Sequence, residues 1–325
     1  MSYKHNFLFL VSDHMAEYTM RELKDLDDVK TVNKDRVSKN KFKNLFFKAY
    51  LSISANRFFS LPFKSLFYRS LFKTNFKEDK NLCIVISPAW YDKQLIRFFR
   101  KCYPDCKLII HFHDTVKKAF ENNRHLSATI VAKDFDGAIA YNLPDAKKYG
   151  FIYRPVGYTP IPENEVKVLP KSDVVFVGAA KDRLPLIRKL YHRFTNAGLK
   201  CDFYVTEVPK EERFDDGIVY GDKSLPFPEY IAREVASDCL LEILQEGSTG
   251  RTYRMMEAII YNKKLITNCP EIMDTQYYDK DFVLYFQDEN EITADFVKKD
   301  VGAVDFNYDG EFSQKKFVDF IDGSF

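Results

Sequence analysis

The sequence has no long apolar run. Its first apolar stretch, residues 7–11 (FLFLV), is too short for a signal sequence with its cleavage site or for a spanning helix, and no later run reaches membrane length. A cytoplasmic protein is expected, either free or held at the inner face of the plasma membrane. Cysteine is sparse: Cys83, Cys102, Cys106, Cys201, Cys239 and Cys269 form no CxxC pair, and Cys102 and Cys106 have no histidine at a zinc-like spacing. That argues against a metal site. Several of these cysteines fall in apolar runs, where a reduced thiol is simply a small apolar group, so a reducing compartment is expected. Glycine is scarce, 12 in 325 residues, and no GxGxxG occurs. The net charge is only +2, which argues against a general nucleic-acid binder.

One absence is local. From Arg36 to Lys77 there is no aspartate or glutamate, while ten lysines and arginines alternate with eleven phenylalanines and tyrosines. Such a stretch suits an anionic membrane surface, where rings settle at the headgroup level and cations meet lipid charge. Single-stranded nucleic acid is the rival partner, and a pair of helices with core rings and solvated lysines is the plainer reading.

What is present is the apolar content of a globular protein, 46%, over a length that fits two domains. In chain order, residues 5–11 (HNFLFLV), 82–87 (LCIVIS), 107–112 (KLIIHF) and 135–141 (FDGAIAY) read as buried strands, with helices expected over 15–26 and 93–103. Strand, helix and strand at this spacing make a βαβ unit and a parallel sheet. Ligands of such sheets bind beyond the carboxyl ends of the strands. That directs attention to Asp13 after the first strand and to His113 and Asp114 after the third. Asp13 also reads as a helix cap, and one of His111 and His113 should face a helix layer. Residues 155–170 carry four prolines and read as a linker. The α/β pattern then restarts with a strand at 173–177, a small-residue turn at Gly178, and Lys181 and Arg183 before a helix over 184–197. Domains are accordingly expected over 1–155 and 156–325.

The stretch 240–268 (LLEILQEGSTGRTYRMMEAIIYNKKLITN) reads as strand, glycine-bearing loop, helix and strand. A loop of this composition, including Gly250, lets backbone N–H groups approach an anion at the positive end of the following helix. With the helix placed over 251–261, Ser248 and Thr249 can cap it. Arg251 and Arg254 then share one face, where two guanidiniums suit a diphosphate. Glu257, one turn on, would accept hydrogen bonds from ribose hydroxyls. The plainer reading of the same spacing is a solvated face of ion pairs.

These residues resemble the donor-binding half of GT-B glycosyltransferases, and more narrowly the capsule and lipopolysaccharide transferases of bacteria. Residues 135–155 (FDGAIAYNLPDAKKYGFIYRP), 174–205 and the strand 265–268 fit the same resemblance, which covers roughly residues 130–270. It implies an α/β protein with two Rossmann-like domains whose parallel sheets face across a cleft, an acceptor-binding first domain, a donor-binding second domain, and a final helix, residues 314–321, that packs back on the first. It implies sugar transfer from a nucleotide-sugar, a UDP-sugar being the expected donor, to a hydroxyl of a surface polysaccharide or lipid-linked saccharide, without a metal or other cofactor. Tyr230 and Phe227 would border the base. Lys181, Arg183, Arg251 and Arg254 would balance the diphosphate charge, and Asp13, His113 or Asp114 would activate the acceptor. The chain departs from the retaining members that carry two glutamates eight positions apart: if Glu257 is the second, Thr249 stands at the first. An epimerase-like enzyme on the same fold and a non-catalytic binding module are the other readings.

Overall fold

The structure is a computed structural model that describes residues 3–325 apart from 38–40, 53–54, 57–60, 62 and 73–75. The chain divides into two compact units, Met1–Thr159 with Phe312–Phe325, and Pro160–Glu311.

In the first unit the apolar runs become the strands of one parallel sheet: β1 (Asn6–Val11), β2 (Val29–Asn33), β3 (Leu82–Ile86), β4 (Lys107–Phe112), β5 (Gly137–Ala140) and β6 (Ile152–Tyr153), ordered β2-β1-β3-β4-β5-β6. All five residues of β3 are buried, as expected of a strand covered on both faces. The helices of this unit are α1 (Ala16–Thr19), α2 (Lys41–Tyr50), α3 (Lys64–Leu71), α4 (Lys93–Cys102), α5 (Val116–Asn122), α6 (Ala128–Asp134) and α7 (Leu143–Tyr149). The single helix expected over 15–26 stops at Thr19 and gives way to a 3₁₀ segment, Arg21–Asp25, in which only Leu23 is buried. One apolar contact does not sustain a helical stripe.

The second unit repeats the plan with β7 (Ser172–Ala179), β8 (Cys201–Thr206), β9 (Val219–Gly221), β10 (Ser237–Glu242), β11 (Lys264–Thr267) and β12 (Val283–Tyr285), all parallel and ordered β12-β11-β10-β7-β8-β9. Its helices are α8 (Leu184–Asn196), α9 (Phe227–Val235), α10 (Tyr253–Ile260) and α11 (Ala294–Lys298). The strand order runs outward in both directions from the β10/β7 pair, so the carboxyl ends of these two strands form a topological switch point.

The chain then rejoins the first unit as α12 (Gln314–Ser324). Phe317, Val318 and Ile321 of α12 are buried against Phe7, Phe9, Val85, Ile109 and Ile139 on one face of the first sheet. Gln314 Nε2 donates to the Gly157 carbonyl at 2.6 Å, and Asp322 accepts from the backbone N–H of Lys4 and His5. Among the described residues no helix is long and apolar enough to cross a membrane.

Candidate functional site

At the switch point of the second unit lies a pocket of about 260 Å³, walled by Phe176–Gly178 of β7, Glu242 and the loop after β10, Tyr230 of α9, and the start of α10. A larger hollow, about 700 Å³, sits by the amino ends of β3 and β4 in the first unit, where Lys77 and Lys80 already pair with Asp27 and Asp28. The smaller pocket is the better candidate, because parallel sheets converge their loops and helix N-termini at the carboxyl end.

The helix at this pocket starts later than the spacing suggested. Its cap is Thr252, whose Oγ1 accepts from the Met255 N–H at 3.3 Å, so neither Ser248 nor Thr249 caps it. Thr252 is fixed there because its hydroxyl also donates to Glu242, a carboxylate at the end of β10 that is 3% exposed. Thr267 of β11 donates to the other oxygen of Glu242. Of the loop residues, Ser248 lines the pocket, while the Thr249 and Gly250 carbonyls accept from the Cys269 thiol and Gly250 is buried.

With the helix beginning at Tyr253, Arg251 precedes it and shares no helical face with Arg254. Arg251 donates to Glu311 at 2.9 Å, lies 3.8 Å from Glu271, and does not line the pocket. Arg254 does line the pocket, yet each of its three nitrogens already donates inside the protein: Nε to Glu234 at 3.0 Å, Nη1 to the Leu241 carbonyl at 2.9 Å, and Nη2 to the Val177 carbonyl. Glu257 turns inward because α10 is apolar on that side; it is fully buried between Met256 and Ala258 and accepts from the Tyr230 hydroxyl. Its carboxyl lies close enough to that of Glu234 to influence its pKa. The expected ribose contact is therefore not available to Glu257 in this arrangement, and the expected diphosphate pair of Arg251 and Arg254 is replaced by internal ion pairs.

Two basic groups remain for an anion. Arg183 is held by the carbonyls of Ala179 and Ile243, stacks 5.9 Å from the Phe176 ring centroid, and its buried Nε has no hydrogen-bond partner among the described residues. Lys181, exposed at φ 47°, donates to Gln245 at 2.6 Å. Gly178 lies within β7, not in a turn, and a Cβ there would meet only Phe176 at 3.5 Å, so no close approach requires the glycine. Tyr230 packs at a tilt against Phe227 with centroids 5.8 Å apart, and its ring walls the pocket while its hydroxyl serves Glu257. Burial pushes the Tyr230 hydroxyl well above its ordinary value.

Three further pocket residues, Glu242, Thr252 and Tyr253, escape a reading by spacing. A signal was present for the first: Glu242 interrupts the apolar run CLLEIL, where a charge must be buried or pointed at a site.

In the first unit the three candidate acids and bases lie beyond the ends of β1 and β4. Asp13 Oδ1 accepts from the Met15 N–H at 2.8 Å, and Asp114 accepts from Thr115 N–H at 2.8 Å and from Lys118, so both serve local turns. Desolvation by the surrounding protein lowers the pKa of His113 below its ordinary 6.5, against the charges of Asp13 and Asp114, which raise it. His111 is the structural one of the pair: it packs 4.7 Å from the ring centroid of Phe317, and burial pushes its pKa down to about 3. Among the described residues no three His, Cys, Asp or Glu side chains group as metal ligands.

Burial raises the pKa of Glu242 above its ordinary 4.5, outweighing the Thr252 and Thr267 hydroxyls that favour the ionised form. The folded state thus holds this proton to higher pH than the unfolded chain does, and the stability this gives declines as pH rises above about 4.5. Glu242→Gln removes that decline. In thermal melts the variant should gain on wild type steadily from pH 5 to neutrality; a gap that does not change with pH would mean the carboxylate is ionised in the folded protein.

No protein-family model and no curated protein matches the chain. Solved structures do match it in three dimensions. An alpha-glucosyltransferase in complex with UDP and a 13-mer DNA containing a central A:G mismatch aligns over 97% of this chain and 99% of its own at 12% identity, with a TM-score of 0.58. Alr3699/HepE of Anabaena in complex with UDP-glucose aligns over 98% and 99% at 11% identity, with a TM-score of 0.53. An alpha-glucosyltransferase in complex with UDP-glucose and DNA containing an abasic site gives 0.54 at 10% identity. At such identities the likeness speaks for architecture, and with the two six-stranded parallel sheets it establishes that the chain has the GT-B fold.

Proposed function

We propose that the protein is a glycosyltransferase whose second unit binds a nucleotide-sugar, a UDP-sugar by preference, in the pocket between the carboxyl ends of β7 and β10. The observation that carries this reading is the pocket itself: at the switch point, with a helix N-terminus and an arginine that forms no ion pair with a carboxylate among the described residues. The GT-B structures that hold UDP and UDP-glucose support it. In the reaction, an acceptor hydroxyl oxygen attacks the anomeric carbon as the bond from that carbon to the diphosphate oxygen breaks. Arg183, Lys181 and the N–H groups at the start of α10 stabilise the departing diphosphate, without a metal. We assign the hydroxyl proton to His113, whose lowered pKa keeps the imidazole neutral and able to accept it, whereas Asp13 and Asp114 serve local turns. The acceptor is a saccharide of a bacterial surface polysaccharide, free or lipid-linked.

The test is a thermal-shift series with UDP, GDP, CDP, ADP and dTDP. A nucleotide that binds the native state raises the melting temperature, by about 2.7 kcal/mol of added stability at a hundredfold excess over Kd. UDP is expected to do so, and incubation with the matching nucleotide-sugar should slowly release free diphosphate without acceptor. No response to any nucleotide would end the transferase reading.

A further inference from the structure

We propose that α2 is a docking surface for an anionic lipid bilayer, an inference that does not depend on the sugar-transfer reading. The inner side of α2 is anchored. Phe47 and Tyr50 pack on the core of the first unit, Leu51 just beyond the helix is buried, and Asn44 Nδ2 donates to the Asp35 carbonyl at 3.0 Å. The outer side is apolar: Phe42, Leu45 and Phe46 are 86%, 67% and 50% exposed, and Ala49 is exposed with them. Positions 42, 45, 46 and 49 follow the i, i+3, i+4, i+7 spacing of one helical stripe. A soluble protein normally turns such a stripe inward, and a contiguous outward one marks a contact surface. Phe63, 70% exposed just before α3, adds a further ring from the same region of the chain.

Charge selects the occupant. Exposed Lys41 and partly exposed Lys48 flank the stripe, and Lys48 shares Asp35 at 3.4 Å. No carboxylate occurs between residues 36 and 77, and of the ten basic residues there Lys39, Arg57 and Lys73 lie outside the described residues. Arg36, Lys64 and Lys77 pair with Glu17, Asp92 and Asp27 from outside the stretch and Lys64 is buried, so the exposed charge not set against a carboxylate among the described residues is that of Lys41 and Arg69. A second copy of this chain would cover the rings but would bring two sets of lysines together, which is repulsive. Nucleic acid would satisfy the lysines and could stack on flat rings, but it offers no apolar phase to Leu45. An anionic bilayer satisfies both: rings and Leu45 enter the boundary between headgroups and acyl chains while lysine stems reach back to the headgroups.

The test is co-sedimentation with vesicles of phosphatidylcholine, pure or with about a third phosphatidylglycerol, at low and moderate salt. Wild type should partition to the anionic vesicles about tenfold better than to the neutral ones. Phe42→Ser with Leu45→Ser should cut that partition about tenfold or more with little change in melting temperature, because these two side chains are the most exposed of the stripe whereas Phe46 packs on Phe47, Tyr50 and Phe67, and Lys41→Glu should cut it severalfold. Phe42→Trp reports the contact directly: the one native tryptophan, Trp90, is buried, so a blue shift on adding anionic vesicles comes from position 42. The proposal is overturned if wild type ignores anionic vesicles or if the serine pair binds them equally. It is also overturned if single-stranded DNA binds in place of lipid, or if the rings instead support a concentration-dependent dimer that the serine pair abolishes.

Discussion

Arg254→Ala is expected to destabilise the second unit by about 3–5 kcal/mol, and so to lower its melting temperature by on the order of 10 °C, before any effect on ligand binding is considered. The guanidinium sits between the rings of Phe176 and Tyr230, at 5.4 and 5.7 Å, and links β7, α9 and β10 through Val177, Glu234 and Leu241. Removing it leaves two carbonyl oxygens short of a donor and strands Glu234, which is fully buried. Burial already raises the Glu234 pKa, and Arg254 is the foremost influence holding it down. Without the arginine, Glu234 and Glu257 face each other as buried acids with nothing to balance a charge. Urea unfolding of the single variant and of Arg254→Leu with Glu234→Leu separates the terms: the double variant should recover most of the loss, because apolar replacement of both partners removes the uncompensated charge. If Arg254→Ala instead melts like wild type but no longer responds to nucleotide, Arg254 belongs to the ligand and not to the scaffold.

Arg183→Ala is expected to weaken nucleoside-diphosphate binding about a hundredfold, equivalent to two charge-assisted hydrogen bonds of about 1.4 kcal/mol each. Arg183 is preorganised by backbone carbonyls, which accept its N–H groups without cancelling its charge. Burial, and then the charge of Arg254, lowers its pKa, which marks a cation that gains from an incoming anion. Lys181→Ala should cost only a fewfold, since Lys181 is exposed and screened. Titration calorimetry at two salt concentrations distinguishes the two: the lysine's contribution shrinks with salt, the arginine's much less. Equal affinity in wild type and Arg183→Ala would remove the diphosphate from this pocket.

The architecture was readable where burial writes itself into composition. LCIVI is apolar throughout, and KLIIHF, β1 and β7 carry apolar runs at their centres, because a parallel sheet is covered on both sides. β2 was not readable: VKTVN is an edge strand with one buried residue, and its place is set by pairing with β1. At the site, the succession of strand, loop and helix was legible from glycine and periodicity, but the directions of its side chains were not. Spacing put Arg251 and Arg254 on one face only if the helix began by residue 251. It begins two residues later, because Thr252 is drawn to Glu242, ten positions away on another element. Glu257 followed the apolar side of α10 inward, and its partners Tyr230 and Glu234 come from α9, an association that no local spacing encodes.

The return of α12 also orders events during synthesis. Every residue of the second unit, 160–311, is synthesised before Phe317, Val318 and Ile321, so the later half of the fold is complete in sequence while the earlier half still lacks part of its core. Until α12 arrives, Phe7, Phe9 and Ile109 present an uncovered apolar face. The first unit is therefore the one whose core is completed last, and the one a holding chaperone would meet.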